Sequence, residues 1–214
     1  MKIVYYGYRD WSFDIFRNVK LKDKYLITTQ DYDIIEGVNP DLVFFVGWSY
    51  IIPDHIVNNY TCVCLHPSPL PKYRGGSPIQ NQILNNEKES AVSFFIMDEG
   101  LDTGDILYQS SFSLNGSLGD IFDRISILGD EGINYIIDNF NDLVKIRTKQ
   151  NNNNVSFFKR RRKADSEIKL SDFEKYDPEY LYNKIRCLND PYPNAFIKCK
   201  NGRKLFIISA RIEP

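Results

Sequence analysis

Short apolar runs alternating with polar, helix-like stretches through the first half of the chain constrain its fold more than any other feature. Lys2–Tyr6 (KIVYY) is rich in β-branched and aromatic residues and stops at Gly7, as a strand does. Asp10 to Val19 sets Phe13, Phe16 and Val19 at three-residue steps, which is one face of a helix. Tyr25–Thr29 reads as a second strand, and Leu42–Gly47 (LVFFVG) as a third that is apolar enough to be covered on both faces. Thr61–His66 (TCVCLH) is a fourth, and Ala91–Met97 and Ile106–Leu114 are two more. Ser77 and Pro78 mark a helix start, an N-cap serine followed by proline at the first helical position, with the helix running to about Asn85. Leu118 to Val144 carries a long amphipathic pattern with a break expected near Gly129. The alternation predicts an α/β domain with a largely parallel sheet. Ligands in such sheets bind beyond the carboxyl ends of the strands, where Gly47, His66 and Asp98 fall.

The polar stretch Gln150–Asn154 reads as a linker, dividing the chain into a domain over 1–150 and a small α+β tail over 155–214. In the tail, Lys159–Lys163 (KRRRK) suits either a solvated connector or an anion-binding segment. Pro178–Leu188 predicts a short helix, and Ala195–Cys199 with Lys204–Ile208 a hairpin closed by the two-residue turn Asn201-Gly202. Hydrophobic residues at 43% and charged ones at 26% exclude a disordered chain. A net charge of −1 leaves no overall basic field to attract nucleic acid. Four scattered cysteines form neither a secreted disulfide framework nor a zinc set, so reduced thiols in a cytoplasmic protein are expected. The first residues lack a signal-peptide pattern. The most apolar segment, Leu42 to Ile52, is about half a membrane span.

Two clusters carry chemistry. Of the chain's two histidines, His55 has an ordinary surface setting, whereas His66 ends a strand and enters the loop PSPLPKYRGG, whose prolines and glycines fix an unusual backbone. Strand alternation places Cys62, Cys64 and His66 on one face. An imidazole at a sheet rim serves as acid or base near neutrality. The second cluster, Met97–Asp105 (MDEGLDTGD), packs carboxylates between glycines at a spacing that does not match a calcium loop. A carboxylate from this loop is suited to orienting an imidazole and stabilising its protonated form.

These two segments, His66–Gln80 (HPSPLPKYRGGSPIQ) and Met97–Asp105, closely resemble those of the 10-formyltetrahydrofolate-dependent formyltransferases. That family includes methionyl-tRNA, glycinamide ribonucleotide and sugar N-formyltransferases, and the likeness covers roughly residues 1 to 145. It implies a Rossmann-like core that takes 10-formyltetrahydrofolate as formyl donor, with no metal. It also implies a catalytic set of His66, Asp102 and, at the family's asparagine position, Cys64. A thiol is a much weaker donor than the asparagine amide held to stabilise the developing oxyanion. Gln80, Asn81, a backbone N–H or water then supplies the bond, or the enzyme is slow; a covalent formyl carrier at Cys64 is a further alternative. The resemblance places the pterin against Trp48, Tyr50, Ile51 and Ile52 and against Asp98, Glu99, Gly100 and Leu101.

The resemblance of the tail is to sugar N-formyltransferases, which implies a dTDP- or UDP-linked amino sugar as acceptor and allows a homodimer. Arg9, Lys72, Tyr73, Arg74, Gly75 and Gln80 are then the expected substrate contacts, with the basic run meeting the diphosphate. Methionyl-tRNA and glycinamide ribonucleotide are the alternative acceptors. A relative that binds folate or a nucleotide sugar without catalysis is the alternative of another class, which the presence of both His66 and Asp102 opposes.

Overall fold

A computed structural model describes residues 1–213 of the chain. Ten strands and seven α-helices follow in chain order among these residues. The central sheet is built from β1 (Ile3–Tyr6), β2 (Lys24–Ile27), β3 (Leu42–Val46), β4 (Cys62–His66), β6 (Glu89–Ile96) and β7 (Ile106–Ser113), in the order β2-β1-β3-β4-β6-β7. The first four are parallel, and β6 and β7 are antiparallel additions. The mostly parallel sheet read from the sequence is therefore present, with each strand within a few residues of its expected bounds.

Both faces of the sheet are covered, which is why β1 and β3 are apolar at every position. Tyr5, Phe44, Val63, Leu65 and Phe94 face one core, beneath α1 (Asp10–Asn18) and α5 (Leu118–Ile146). Val4, Tyr6, Val43, Phe45 and Cys62 face a second core beneath α2 (Asp33–Val38) and α3 (Asp54–Asn59). The break expected near Gly129 is absent: α5 is one helix of 29 residues, opened by a capping box between Ser117 and Asp120. Gly129 serves packing instead, because a side chain there would collide with Ile15 and press on Leu65. The strand order reverses direction between β1 and β3, which places a crevice beyond Tyr6 and Val46.

The tail contains α6 (Asp172–Lys175), α7 (Pro178–Arg186) and the hairpin of β9 (Ala195–Lys198) with β10 (Lys204–Ile207). Its strands are joined through Cys199–Arg203 rather than by a two-residue turn, with Gly202 left-handed at φ 78°. No helix among the described residues is long and apolar enough to cross a membrane. Gly129→Val should lower stability by about 1–3 kcal/mol in urea unfolding, since the overpacked side chain has no void to enter. An unchanged midpoint would show that α5 does not approach α1 this closely.

Candidate active site

His66 closes β4, the strand at which the sheet changes from parallel to antiparallel pairing. The loop that follows is fastened from below by buried polar groups. Ser93 Oγ donates to the Ser68 carbonyl (2.6 Å), Ser68 Oγ to Lys72 (2.8 Å) and Gln82 Nε2 to Pro67 (2.9 Å). The loop rises to β5 (Arg74–Gly75) and then to α4 (Pro78–Leu84). Tyr73 and Ser77 are left-handed, at φ 60° and 53°. Ser77 occupies the N-cap position but does not cap, because the left-handed backbone turns its hydroxyl away from α4. Its Oγ accepts instead from the Arg161 amide (3.1 Å).

Asp102 reaches this loop from the acidic segment. It is also left-handed, at φ 55°, a costly conformation for a residue with a side chain. Its Oδ2 accepts from the Gly75 amide at 2.8 Å and lies 3.5 Å from His66 Nδ1. The other ring nitrogen, Nε2, is 2.9 Å from the Tyr73 carbonyl. Both ring nitrogens therefore face an oxygen, Nδ1 the Asp102 carboxylate and Nε2 the Tyr73 carbonyl. His66 is 6% exposed, a dry setting that strengthens these contacts. Asp102 Oδ1 makes no hydrogen bond among the described residues.

Cys64 sits two residues before His66 on the same face, half-buried beside the second core. Burial, reinforced by the nearby Asp102 carboxylate, pushes its thiol well above the usual range. The amide of Asn81 is committed to the Gly76 carbonyl (2.9 Å), whereas the buried Gln80 amide has no partner among the described residues.

Of the expected pterin segments, Asp98, Glu99 and Gly100 line an open hollow of about 500 Å³ with Val57, Asn58 and Met97, whereas Trp48, Tyr50, Ile51 and Ile52 lie outside its lining. The main-chain groups of Tyr50, Ile51, Glu99 and Leu101 pair with nothing among the described residues and lie in exposed segments. Trp48 packs edge-on to Tyr50 and Tyr8 and donates to the Tyr32 hydroxyl (3.1 Å). Arg9 lies over the Tyr8 ring at the end of β1, and Lys72 is exposed. Tyr73 and Arg74 differ from expectation. Both are buried; the Tyr73 hydroxyl donates to Glu87 (2.8 Å), and the Arg74 guanidinium is held by Gln150 (2.7 and 3.0 Å). Those side chains serve the protein interior, so only their main chain faces the pair.

Three contributors were not visible in the sequence. β8 (Phe157–Phe158) pairs in parallel with β5, and Ser156 meets the Tyr73 and Arg74 amides at 2.8 and 2.9 Å. Phe158 stacks on Tyr73 at 5.0 Å, and Gly76 lies so close to the Arg160 backbone that a Cβ would collide with it. Gln150, read as linker, bonds the acidic loop. Arg160 Nη1 donates to the Ser49 carbonyl (2.9 Å) and Arg9 packs against Gly47 and over Tyr8, so both guanidinium side chains reach the segment that leaves β3. No periodicity or motif marks residues whose role arises from the return of the tail.

A formyl transferase family model matches residues 12–128. The methionyl-tRNA formyltransferase of Finegoldia magna is 35% identical over 174 residues, covering 79% of this chain and 54% of that protein. The chain spans about half the length of the curated relatives it matches. A solved methionyl-tRNA formyltransferase from Clostridium thermocellum is 32% identical, covers 97% of both chains and superposes with a TM-score of 0.80. An N-formyltransferase from Helicobacter canadensis, solved with folinic acid and dTDP-3-aminofucose, shares the fold. Its TM-score is 0.67 at 20% identity, with 87% of this chain and 80% of that chain covered. A mostly parallel α/β sheet, matched over these lengths, defines the class of fold shared with these proteins. The chain belongs to the formyl transferase family.

The thiols give a direct test of the site's electrostatics. Burial raises Cys62 to about 12 and Cys187 to about 11, and Cys64 is raised as well. A raised thiol stays protonated below its own pKa, so at pH 8 iodoacetamide should modify the exposed Cys199 alone. Mass mapping that finds Cys64 alkylated as fast as Cys199 would contradict this arrangement.

Proposed function

We propose that this chain transfers a formyl group from 10-formyltetrahydrofolate to a primary amine, the carrying observation being Asp102 held between His66 and the Gly75 amide. The residues fit the donor: a groove of about 500 Å³ lies within the usual range for small-molecule sites. The unpaired main-chain groups of Tyr50, Ile51, Glu99 and Leu101 suit the donor and acceptor edges of a pterin. When bound, 10-formyltetrahydrofolate would supply an activated formyl carbon, which bonds to the amine nitrogen as its bond to folate N10 breaks.

Because both ring nitrogens of His66 are engaged, the proton enters and leaves the pair at Asp102 Oδ1. That oxygen accepts one proton from the attacking amine and returns it to the departing nitrogen. His66 holds the carboxylate in place from the other side of the pair. The raised Cys64 thiol is neutral and unreactive, which disfavours a covalent formyl carrier. Gln80, with its amide uncommitted, takes over the donor role at the family's asparagine position.

A nucleotide-linked amino sugar, dTDP- or UDP-linked, is the proposed acceptor. The support is that Arg9 and Arg160 both reach the segment leaving β3, which suits a diphosphate, on a chain with a net charge of −1. Methionyl-tRNA is the second reading, favoured by the relatives from Finegoldia magna and Clostridium thermocellum and by the exposed Lys159, Arg160, Arg162 and Lys163.

The test is formyl transfer followed by mass spectrometry across 3- and 4-amino dTDP- and UDP-sugars, with methionyl-tRNA and glycinamide ribonucleotide as competing acceptors. A formylated sugar is the expected product; transfer to tRNA alone would replace the acceptor while leaving the mechanism. His66→Ala and Asp102→Asn should each lower kcat by roughly 10²–10⁴-fold. Cys64→Ser and Cys64→Asn should each stay within about twofold, because Gln80 already supplies the donor. A Cys64→Ser enzyme without activity would reinstate the covalent route.

A further inference from the structure

Gln150 follows α5 in a polar stretch that shows no chemical pattern in the sequence. The structure gives it a defined place. Thr148 exchanges backbone hydrogen bonds with Ile106 at the start of β7 (2.8 and 2.9 Å), which delivers Gln150 beside the acidic loop. Its Nε2 donates to the carbonyls of Asp102 (3.0 Å) and Gly104 (2.7 Å), and its Oε1 accepts from Arg74 Nε (3.0 Å) and Nη2 (2.7 Å). Both donors and both acceptor lone pairs of the amide are thereby used.

These contacts close a ring. Arg74 precedes Gly75, Gly75 donates to the Asp102 carboxylate, and the Asp102 carbonyl returns to Gln150. The carboxylate of this left-handed residue is thus fixed by Gly75 and its carbonyl by Gln150, and Arg74 ties the two segments together. A lone Asp102 at φ 55° has strong reason to relax, and relaxation would swing its carboxylate away from His66. We propose that Gln150 is a positioning residue that holds Asp102 in its left-handed conformation and so sets the carboxylate against His66 and the Gly75 amide. It acts through Asp102 and touches no reacting atom, and the inference rests on the reading that the His66–Asp102 pair carries the transfer.

The experiment compares Gln150→Ala and Gln150→Glu in the wild-type and Asp102→Asn backgrounds. Gln150→Glu retains an acceptor for Arg74 while removing both donors to the acidic loop, and so separates the clamp from packing. In the wild-type background each variant should lower kcat by roughly 10–100-fold, as a misplacement of about 1 Å does, with KM values and melting temperature little changed. In the Asp102→Asn background the same substitutions should change kcat by less than about threefold, because the group they position is already gone. An equal loss in both backgrounds, or a rise in KM at constant kcat, would overturn the proposal.

A second readout does not depend on turnover. The chain has two histidines, so the ring ¹⁵N signals of His66 and His55 are separable. In Gln150→Ala the His66 signals should move toward those of Asp102→Asn while His55 stays in place. Unmoved His66 signals would defeat the clamp even in an active enzyme. Shifted signals in a protein that formylates no amine would sustain the clamp and remove the proposed function instead.

Discussion

The hydrogen bond from the Gly75 amide to the Asp102 carboxylate is the contact on which the rest of the site depends. It joins two loops that leave different strands, one after β4 and one between β6 and β7. Neither loop alone presents a chemical group in a usable position. Joined, they bring an imidazole and a carboxylate to 3.5 Å in a nearly water-free setting, where such a contact counts for more than at a surface. Three of the left-handed side-chain-bearing residues, Tyr73, Ser77 and Asp102, fall in these two loops.

The sheet supplies the rigidity that this junction requires. β4 is held on one side by the parallel β3 and on the other by the antiparallel β6, so His66 cannot shift without disturbing three strands. Beneath the loop, Ser68, Ser93 and Gln109 bond one another and the backbone, and Gln82 Nε2 holds the Pro67 carbonyl. Above it, β8 returns from the tail to pair with β5, and Phe158 stacks on Tyr73. The catalytic loop is therefore enclosed between a sheet on one side and the C-terminal segment on the other.

This enclosure explains why some side chains do not do what their type implies. Arg74 looks, in the sequence, like an anion-binding residue in an exposed loop. Once the tail has folded back, its guanidinium lies in the interior, where an unpaired charge is costly, and Gln150 meets it. Tyr73 follows the same logic, with its hydroxyl on Glu87 and its carbonyl left for His66.

The sequence by itself determined the α/β class, the strands of the sheet, and the placement of His66 at a strand end with Asp102 in a glycine-flanked loop. Each is a local property: periodicity, β-branched and aromatic content, and the turn residues set it over a few positions. Tertiary structure alone decided the unbroken course of α5 past Gly129, where close packing on α1 outweighs glycine's poor helix propensity. It also decided the pairing of β8 with β5 and the use of Gln150, since those contacts join residues about 80 positions apart. Contacts of that separation depend on how the long helix returns the chain, and no local pattern encodes the return.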